Sequence, residues 1–178
     1  MAAYEEVGID EIAERAGISR GLLYHYFPTK RDFYVAVAAS AVEEVSRLTQ
    51  PRAELAPLDN VAAGVDAYLR YAETHAHGFL TAHRGALSGD AEVRDLVQRS
   101  RRRQAARILS VLRPNGTATP LARLAVTGWI ALAQDTTEEW LRQRRPGREA
   151  LARWLVTTLS CALTAAQEEE AWGTYMQS

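Results

Sequence analysis

Residues 8–37 read GIDEIAERAGISRGLLYHYFPTKRDFYVAV, and this stretch decides the fold. Ile9, Ile12, Ala13 and Ala16 recur at helical spacing and make one apolar face. Gly17 follows at once, where a residue in the left-handed region ends a helix. Ser19 stands where an N-cap belongs, and its hydroxyl can accept a bond from a free backbone N–H of the next helix. That second helix is short, because Pro28 has no N–H to donate and pushes Phe27 out of helical geometry. Thr29 can then cap a third helix that begins at Lys30. Two short helices joined by a Gly-containing turn form a helix-turn-helix unit, whose second helix can enter the major groove of DNA. Arg20 and Leu22 lie near the end of that helix that points at base edges. An Arg fork on guanine discriminates by about 1–3 kcal/mol.

The run IAERAGISRGLLYHYFPTKRDFYVAV closely resembles the N-terminal signature of the TetR family of bacterial transcriptional regulators. The matching pieces are Ile12-Ala13, Ala16-Gly17-Ile18-Ser19, Gly21, Leu23-Tyr24, Tyr26-Phe27 and Lys30. The resemblance implies that Gly21 lets the backbone approach DNA and that Tyr24, His25 and Tyr26 contact phosphate, with His25 reaching a base in some members. It implies a phosphate contact for Lys30, and the same for Ser19. Phosphate contacts fix register, while base contacts choose sequence. Leu23 and Phe27 read as core. Two departures from the family pattern stand out. Gly8 occupies a position where the family usually has a capping Thr, and Gly offers no hydroxyl. The family also places a further helix before the motif, and here Met1 to Val7 precede Gly8, barely two turns at a rise of about 1.5 Å per residue. Either the start is trimmed or misassigned, or the chain lacks most of that helix. The second case exposes part of the face made by Ile12, Ala16, Leu22 and Phe27.

Composition bounds the rest. The chain has 178 residues, 47% of them apolar, enough for a real core and too many for a disordered chain. No apolar run approaches the roughly 20 residues of a membrane-spanning helix, and no secretory leader pattern opens the chain. The single cysteine, Cys161, excludes an internal disulfide and a Cys-based zinc site. The expectation is a soluble cytoplasmic protein. Net charge is −1, so global charge does not call for a polyanion partner. Locally the balance differs: Arg15, Arg20, Lys30 and Arg31 fall in a stretch without any acidic residue.

After the motif, periodicity predicts helices from Lys30 to about Gln50, Leu58 to Ala76, Phe79 to about Leu87, Asp90 or Ala91 to Leu112, Pro120 to about Arg144, and Arg148 to about Ala171. Pro51 and Pro57 bracket one link, and residues 114–120 form the clearest loop, with Thr119-Pro120 as cap and first-turn proline. No strand alternation or internal repeat is present. The reading is an all-α protein of about eight helices, with a helix-turn-helix DNA-binding part over residues 1–48 and a helical ligand-binding and dimerisation part over 49–178.

In the second part, Arg94, Arg99, Arg101, Arg102, Arg103 and Arg107 circle most of one helix, so a solvated face is favoured over a nucleic-acid patch. Tyr68, Tyr71, His75, Phe79, His83, Trp129 and Asp135 are polar or aromatic residues set among apolar helices. TetR-like proteins enclose a small-molecule pocket in this part, and pockets are mostly apolar with a few orienting polar groups. These seven are therefore the candidate ligand-binding residues. His75, His77 and His83 do not share a helical face, and no HExxH pattern or carboxylate–His cluster exists, so no metal and no cofactor is expected. No nucleophile elbow or phosphate loop suggests an enzyme.

In the helix from Pro120, Leu121, Leu124, Ala125, Gly128 and Leu132 form one stripe, and Trp129, Ile130, Ala133 and Trp140 lie off it. In the last helix Leu151, Trp154, Leu155, Leu159, Ala162 and Ala166 are in register. The surplus of apolar surface implies a second buried face, hence a subunit interface. By resemblance, the final two helices pair with their copies in a homodimer, with Cys161 as a small buried residue there. A dimer suits a palindromic operator in double-stranded DNA. The sequence thus reads as a ligand-responsive regulator, in the first instance a repressor, with an unknown small-molecule effector. The alternative is a dimeric helical small-molecule-binding protein that has lost DNA binding through its shortened N-terminus.

Overall fold

A computed structural model describes residues 9–76, 78–80, 90–113, 116 and 118–175, with the side chains of 9, 10 and 170–175 left aside. Among these residues there are helices and no strand. The helices are α1 (Ile9–Ala16), α2 (Arg20–Tyr26), α3 (Lys30–Leu48), α4 (Pro57–Thr74), α5 (Ala91–Leu112), α6 (Pro120–Gln143) and α7 (Arg148–Tyr175). Two expectations lie outside the described residues: what precedes the motif up to Gly8, and most of the helix placed at Phe79–Leu87. Of the latter, one helical bond from the Phe79 N–H to the His75 carbonyl is seen, at 2.9 Å.

The ends of the helices follow local chemistry. Gly17 closes α1 with φ +66°, a conformation that disfavours any residue with a Cβ. The Ile18 N–H returns to the Ala13 carbonyl at 3.0 Å. Ser19 Oγ accepts from the Leu22 N–H at 3.2 Å and caps α2, which stops at Phe27 before Pro28. Thr29 and Asp32 form a reciprocal capping box at the head of α3, each side chain accepting the other's backbone N–H. Asp90 caps α5 and Thr119 caps α6, whose first residue is Pro120.

Three apolar clusters lie along the molecule. The main core joins α4 to α7 through Val61, Val65, Leu69, Leu109, Val126, Trp129, Ile130, Leu155 and Leu159. A small cluster under the helix-turn-helix has Ala13 and Leu23 buried, with Ile12, Phe27 and Phe33 against them. The third, Tyr34, Ala38 and Val93 with Leu96 and Val97, seams α3 to α5. α3 therefore runs from one part into the other.

Of the two apolar faces of α6, the one that packs inside the chain is the one off the Leu121–Leu132 stripe. Trp129, Ile130, Ala133, Trp140 and Leu141 are buried, whereas Leu124 is 69% exposed and Leu132 38% exposed. The tryptophans can lie inside because their N–H groups find partners: Trp129 donates to the Leu155 carbonyl at 2.8 Å and Trp140 to that of Pro146 at 2.7 Å. On α7, Leu151, Leu155, Leu159 and Ala166 face the core as expected, while Trp154 and Cys161 are exposed. An apolar outer surface is thus left on α6 and α7, made of different residues from those the periodicity put off the stripe.

The basic run of α5 is also not a uniform solvated face. Arg99 pairs with Asp95 on the surface. Arg101 Nε, by contrast, donates to Gln134 Oε1 of α6 at 2.6 Å. Arg107 reaches across to α3, donating to the Ser46 carbonyl and to Ser46 Oγ, both at 2.8 Å. Two of the six arginines are ties between helices.

Candidate DNA-reading face and ligand cleft

α2 has one inward side chain, Leu23, which is 3% exposed and holds the helix against α1 and α3. Everything else it carries faces outward. Arg20, Leu22, Tyr24, His25 and Tyr26 are exposed, and Ser19 and Gly21 lie on the same surface. One buried apolar residue in seven keeps the face polar and leaves its aromatic rings available for contacts outside the chain. The Arg20 guanidinium lies over the Tyr24 ring, 5.5 Å from its centre, as residues four apart on a helix can. His25 and Tyr26 meet edge to face at 5.3 Å. A Cβ at Gly21 would meet nothing within 4 Å, so its lack of a side chain serves nothing inside the chain. Lys30 begins α3 at the rim of this surface and is half-buried. Of the remaining basic residues in the motif, Arg15 pairs with Glu11 at 2.7 Å. Arg31 turns away from the face to Asp90 and Glu92.

The second feature is a cleft of about 1280 Å³ between α3, α4, α5 and α6. Its α3 wall is apolar, with Phe33, Tyr34, Val37 and Ala38; Val93 and Val97 of α5 stand opposite. Tyr68, Tyr71, His75, Phe79 and Asp135 line it, so five of the seven sequence candidates come together. Trp129 does not; it borders a smaller neighbouring pocket of about 90 Å³ that also touches Thr49, Pro51 and Asn60 and shares Tyr68 with the cleft. His83 lies outside the described residues. Sequence reasoning missed Glu44, Arg101, Gln104 and Gln134, which add polar groups to the lining. Only the position of Gln134 beside Asp135 could have hinted at them.

The polar end of the cleft has defined chemistry. Tyr71 and His75 stack at 4.4 Å, and His75 Nδ1 donates to the Tyr71 carbonyl at 3.0 Å. Burial pushes the Tyr71 hydroxyl pKa up, with Glu44 adding to the effect. Tyr68 packs its ring edge to face on Phe79 at 5.8 Å, and its hydroxyl is buried without a hydrogen-bond partner of normal geometry. Burial drives its pKa far up, so it remains a neutral O–H donor. Thr137 is its nearest polar neighbour, and a better-placed ligand acceptor would complete its hydrogen bonding. No group of His, Cys, Asp and Glu able to hold a metal occurs among the described residues, nor does a helix long and apolar enough to cross a membrane.

Residues 2–37 match the family described as bacterial regulatory proteins, tetR family. Residues 57–161 match the family of tetracyclin repressor-like C-terminal domains. The chain is 27% identical over 146 residues to the HTH-type transcriptional activator FasR of Mycolicibacterium smegmatis, a match covering 80% of this chain and 67% of the relative. Among solved structures, a tetR-family transcriptional regulator from Streptomyces coelicolor is similar with a TM-score of 0.85 and 32% identity, over 96% of this chain and 78% of that one. The TetR family regulator PfmR from Thermus thermophilus shares the fold, with a TM-score of 0.62 at 23% identity over 88% of each chain.

Proposed function

This chain belongs to the tetR family of bacterial regulatory proteins, and we propose that it is a ligand-responsive regulator that binds a palindromic operator as a homodimer. Residues 1–48 form the DNA-binding part and 49–178 the ligand-binding and dimerisation part. The observation that carries this reading is a recognition helix that buries Leu23 and turns Arg20, Leu22, Tyr24, His25 and Tyr26 outward. Arg20 and Leu22 meet base edges. Ser19, Gly21, Tyr24, His25, Tyr26 and Lys30 meet the phosphate backbone. The dimer places two such helices about 34–36 Å apart, in successive major grooves.

The effector enters the cleft. Its apolar walls select a mostly apolar small molecule, and Tyr68, Tyr71, His75 and Asp135 orient that molecule's few polar groups. Binding favours a spacing of recognition helices that no longer fits the operator. In that form the protein is a repressor released by its ligand, acting in the cytoplasm. A second reading, activation, is favoured by the name of the Mycolicibacterium relative. Transcription in vitro from the chain's own promoter region separates the two: added protein lowers the transcript in the first reading and raises it in the second.

The DNA-reading face is tested by titrating promoter-region DNA with two variants. Lys30→Ala is expected to weaken binding evenly across sequences and to lower the salt slope by about one. Arg20→Ala is expected to relax specificity at one position, with about 1–3 kcal/mol of discrimination lost there. Equal, sequence-independent losses from both would overturn the role given to Arg20.

A further inference from the structure

α3 is joined to α5 by the apolar seam of Tyr34, Ala38 and Val93 and, beyond it, by a polar tie near each end; the cleft runs along the same stretch. At the end near the helix-turn-helix, Arg31 Nε donates to Asp90 Oδ2 at 2.8 Å and its Nη2 donates to Asp90 Oδ1 at 3.1 Å and Glu92 Oε2 at 3.0 Å. Asp90 is at the same time the N-cap of α5, accepting from the N–H groups of Glu92 and Val93. At the far end, Arg107 of α5 grips the carbonyl and hydroxyl of Ser46. Between the two clamps, Phe33, Tyr34, Val37 and Ala38 of α3 face the cleft.

We propose that Arg31 is a positioning residue: its forked grip on Asp90 and Glu92 sets the angle at which α1 and α2 stand to the rest of the chain. The part of this inference that concerns DNA rests on the regulator reading above; the part that concerns geometry does not. α3 supplies the connection, since α1 and α2 pack on each other and on Phe33 through a small cluster. The two clamps differ in strength. The Arg31 side chain is 50% exposed, and Asp90 and Glu92 are 20% and 55% exposed, so water and salt weaken this clamp. The Arg107 clamp is partly buried and holds a backbone carbonyl. The fork matters because lysine cannot grip a carboxylate through two parallel bonds.

The test reads the geometry directly and needs no ligand. In the full chain with Cys161→Ser, spin labels are placed at Ala16→Cys in α1 and Arg153→Cys in α7, and labelled chains are diluted in unlabelled ones so that within-chain distances are read. The parent is expected to give one narrow distance distribution. Arg31→Gln, Asp90→Asn and Glu92→Gln are each expected to shift its mean by about 3 Å, the width of one bridging water, or to broaden it comparably. Asparagine keeps the α5 cap, so Asp90→Asn separates the clamp from the helix end. Arg31→Lys restores charge but not the parent distribution. Distributions unchanged in all of the clamp variants would overturn the proposal. A second readout distinguishes positioning from a phosphate contact: Arg31→Gln leaves the salt slope of DNA binding unchanged. A slope lower by about one would make Arg31 a DNA contact instead. Failure of all variants and the parent to bind DNA would refute the regulator reading while leaving the distance result standing.

Discussion

Replacing Leu124 and Leu132 together with aspartate is expected to leave the chain monomeric at micromolar concentration, where the proposed homodimer would otherwise form. Both lie on the outer surface of α6, 69% and 38% exposed in the single chain, beside exposed Gly128. Trp154 and Cys161 give α7 an exposed surface of the same kind. An apolar surface of this extent on the last two helices is what a self-complementary interface needs. The symmetric pair would carry four carboxylates desolvated against apolar partners, each at a cost of about 2 kcal/mol or more, so the dissociation constant of the proposed dimer rises by about a million-fold. Sedimentation equilibrium reads that change. The same variant is expected to lose operator binding, because one recognition helix covers only a half-site. Its monomeric fold survives, since neither leucine belongs to the core. A dimer of unchanged affinity would place the interface elsewhere.

Leu155→Ala is expected to cost about 2–5 kcal/mol of stability, or about 4–20 °C in melting temperature for a chain of this length. Leu155 is fully buried in the main core, and it borders the pocket of about 90 Å³ near Gly64, Val65 and Trp129. Truncation would remove apolar packing from the centre of the main core beside that pocket. The bond from Trp129 to the Leu155 carbonyl uses backbone and can persist, so the loss reports packing. Circular dichroism melting measures it. A loss below about 1 kcal/mol would mean that α6 and α7 collapse around the site.

Much of the fold could be read from sequence because its signals are local. Ser19, Thr29, Asp90 and Thr119 all cap helices through bonds to residues two or three positions on. Gly17 and Pro28 close α1 and α2 through their own backbones. What depends on distant partners was not legible. α6 carries apolar residues on two faces, and periodicity separates such faces without saying which one meets α4 and α7. The tryptophans settled it, and their partners are a carbonyl on α7 and one in the α6–α7 link. Arg101 and Arg107 sat in a run that reads as solvated, yet their partners lie 33 and 61 residues away. Arg31 likewise reads as part of a DNA-facing charge in the sequence, and its partners Asp90 and Glu92 lie about sixty residues on.

The candidate site divides the same way. The exposed face of α2 is legible in the sequence because a short helix exposes nearly all of its residues whatever it packs on. Five of the seven ligand candidates meet in the cleft because Tyr68, Tyr71, His75 and Phe79 follow one another along the end of α4 and the turn after it. The α3 wall of Phe33, Tyr34, Val37 and Ala38 was hidden, since apolar residues at helical spacing read as core until a gap beside them is seen.

The most direct measurement is a titration of labelled DNA from beside the chain's own gene with this 178-residue protein at two salt concentrations. Saturable binding that weakens steeply with salt, with a slope of about −0.9 per phosphate contacted, is the predicted result. No binding at the lower salt, or binding indifferent to salt, would contradict the assignment of α2 as a DNA-reading helix.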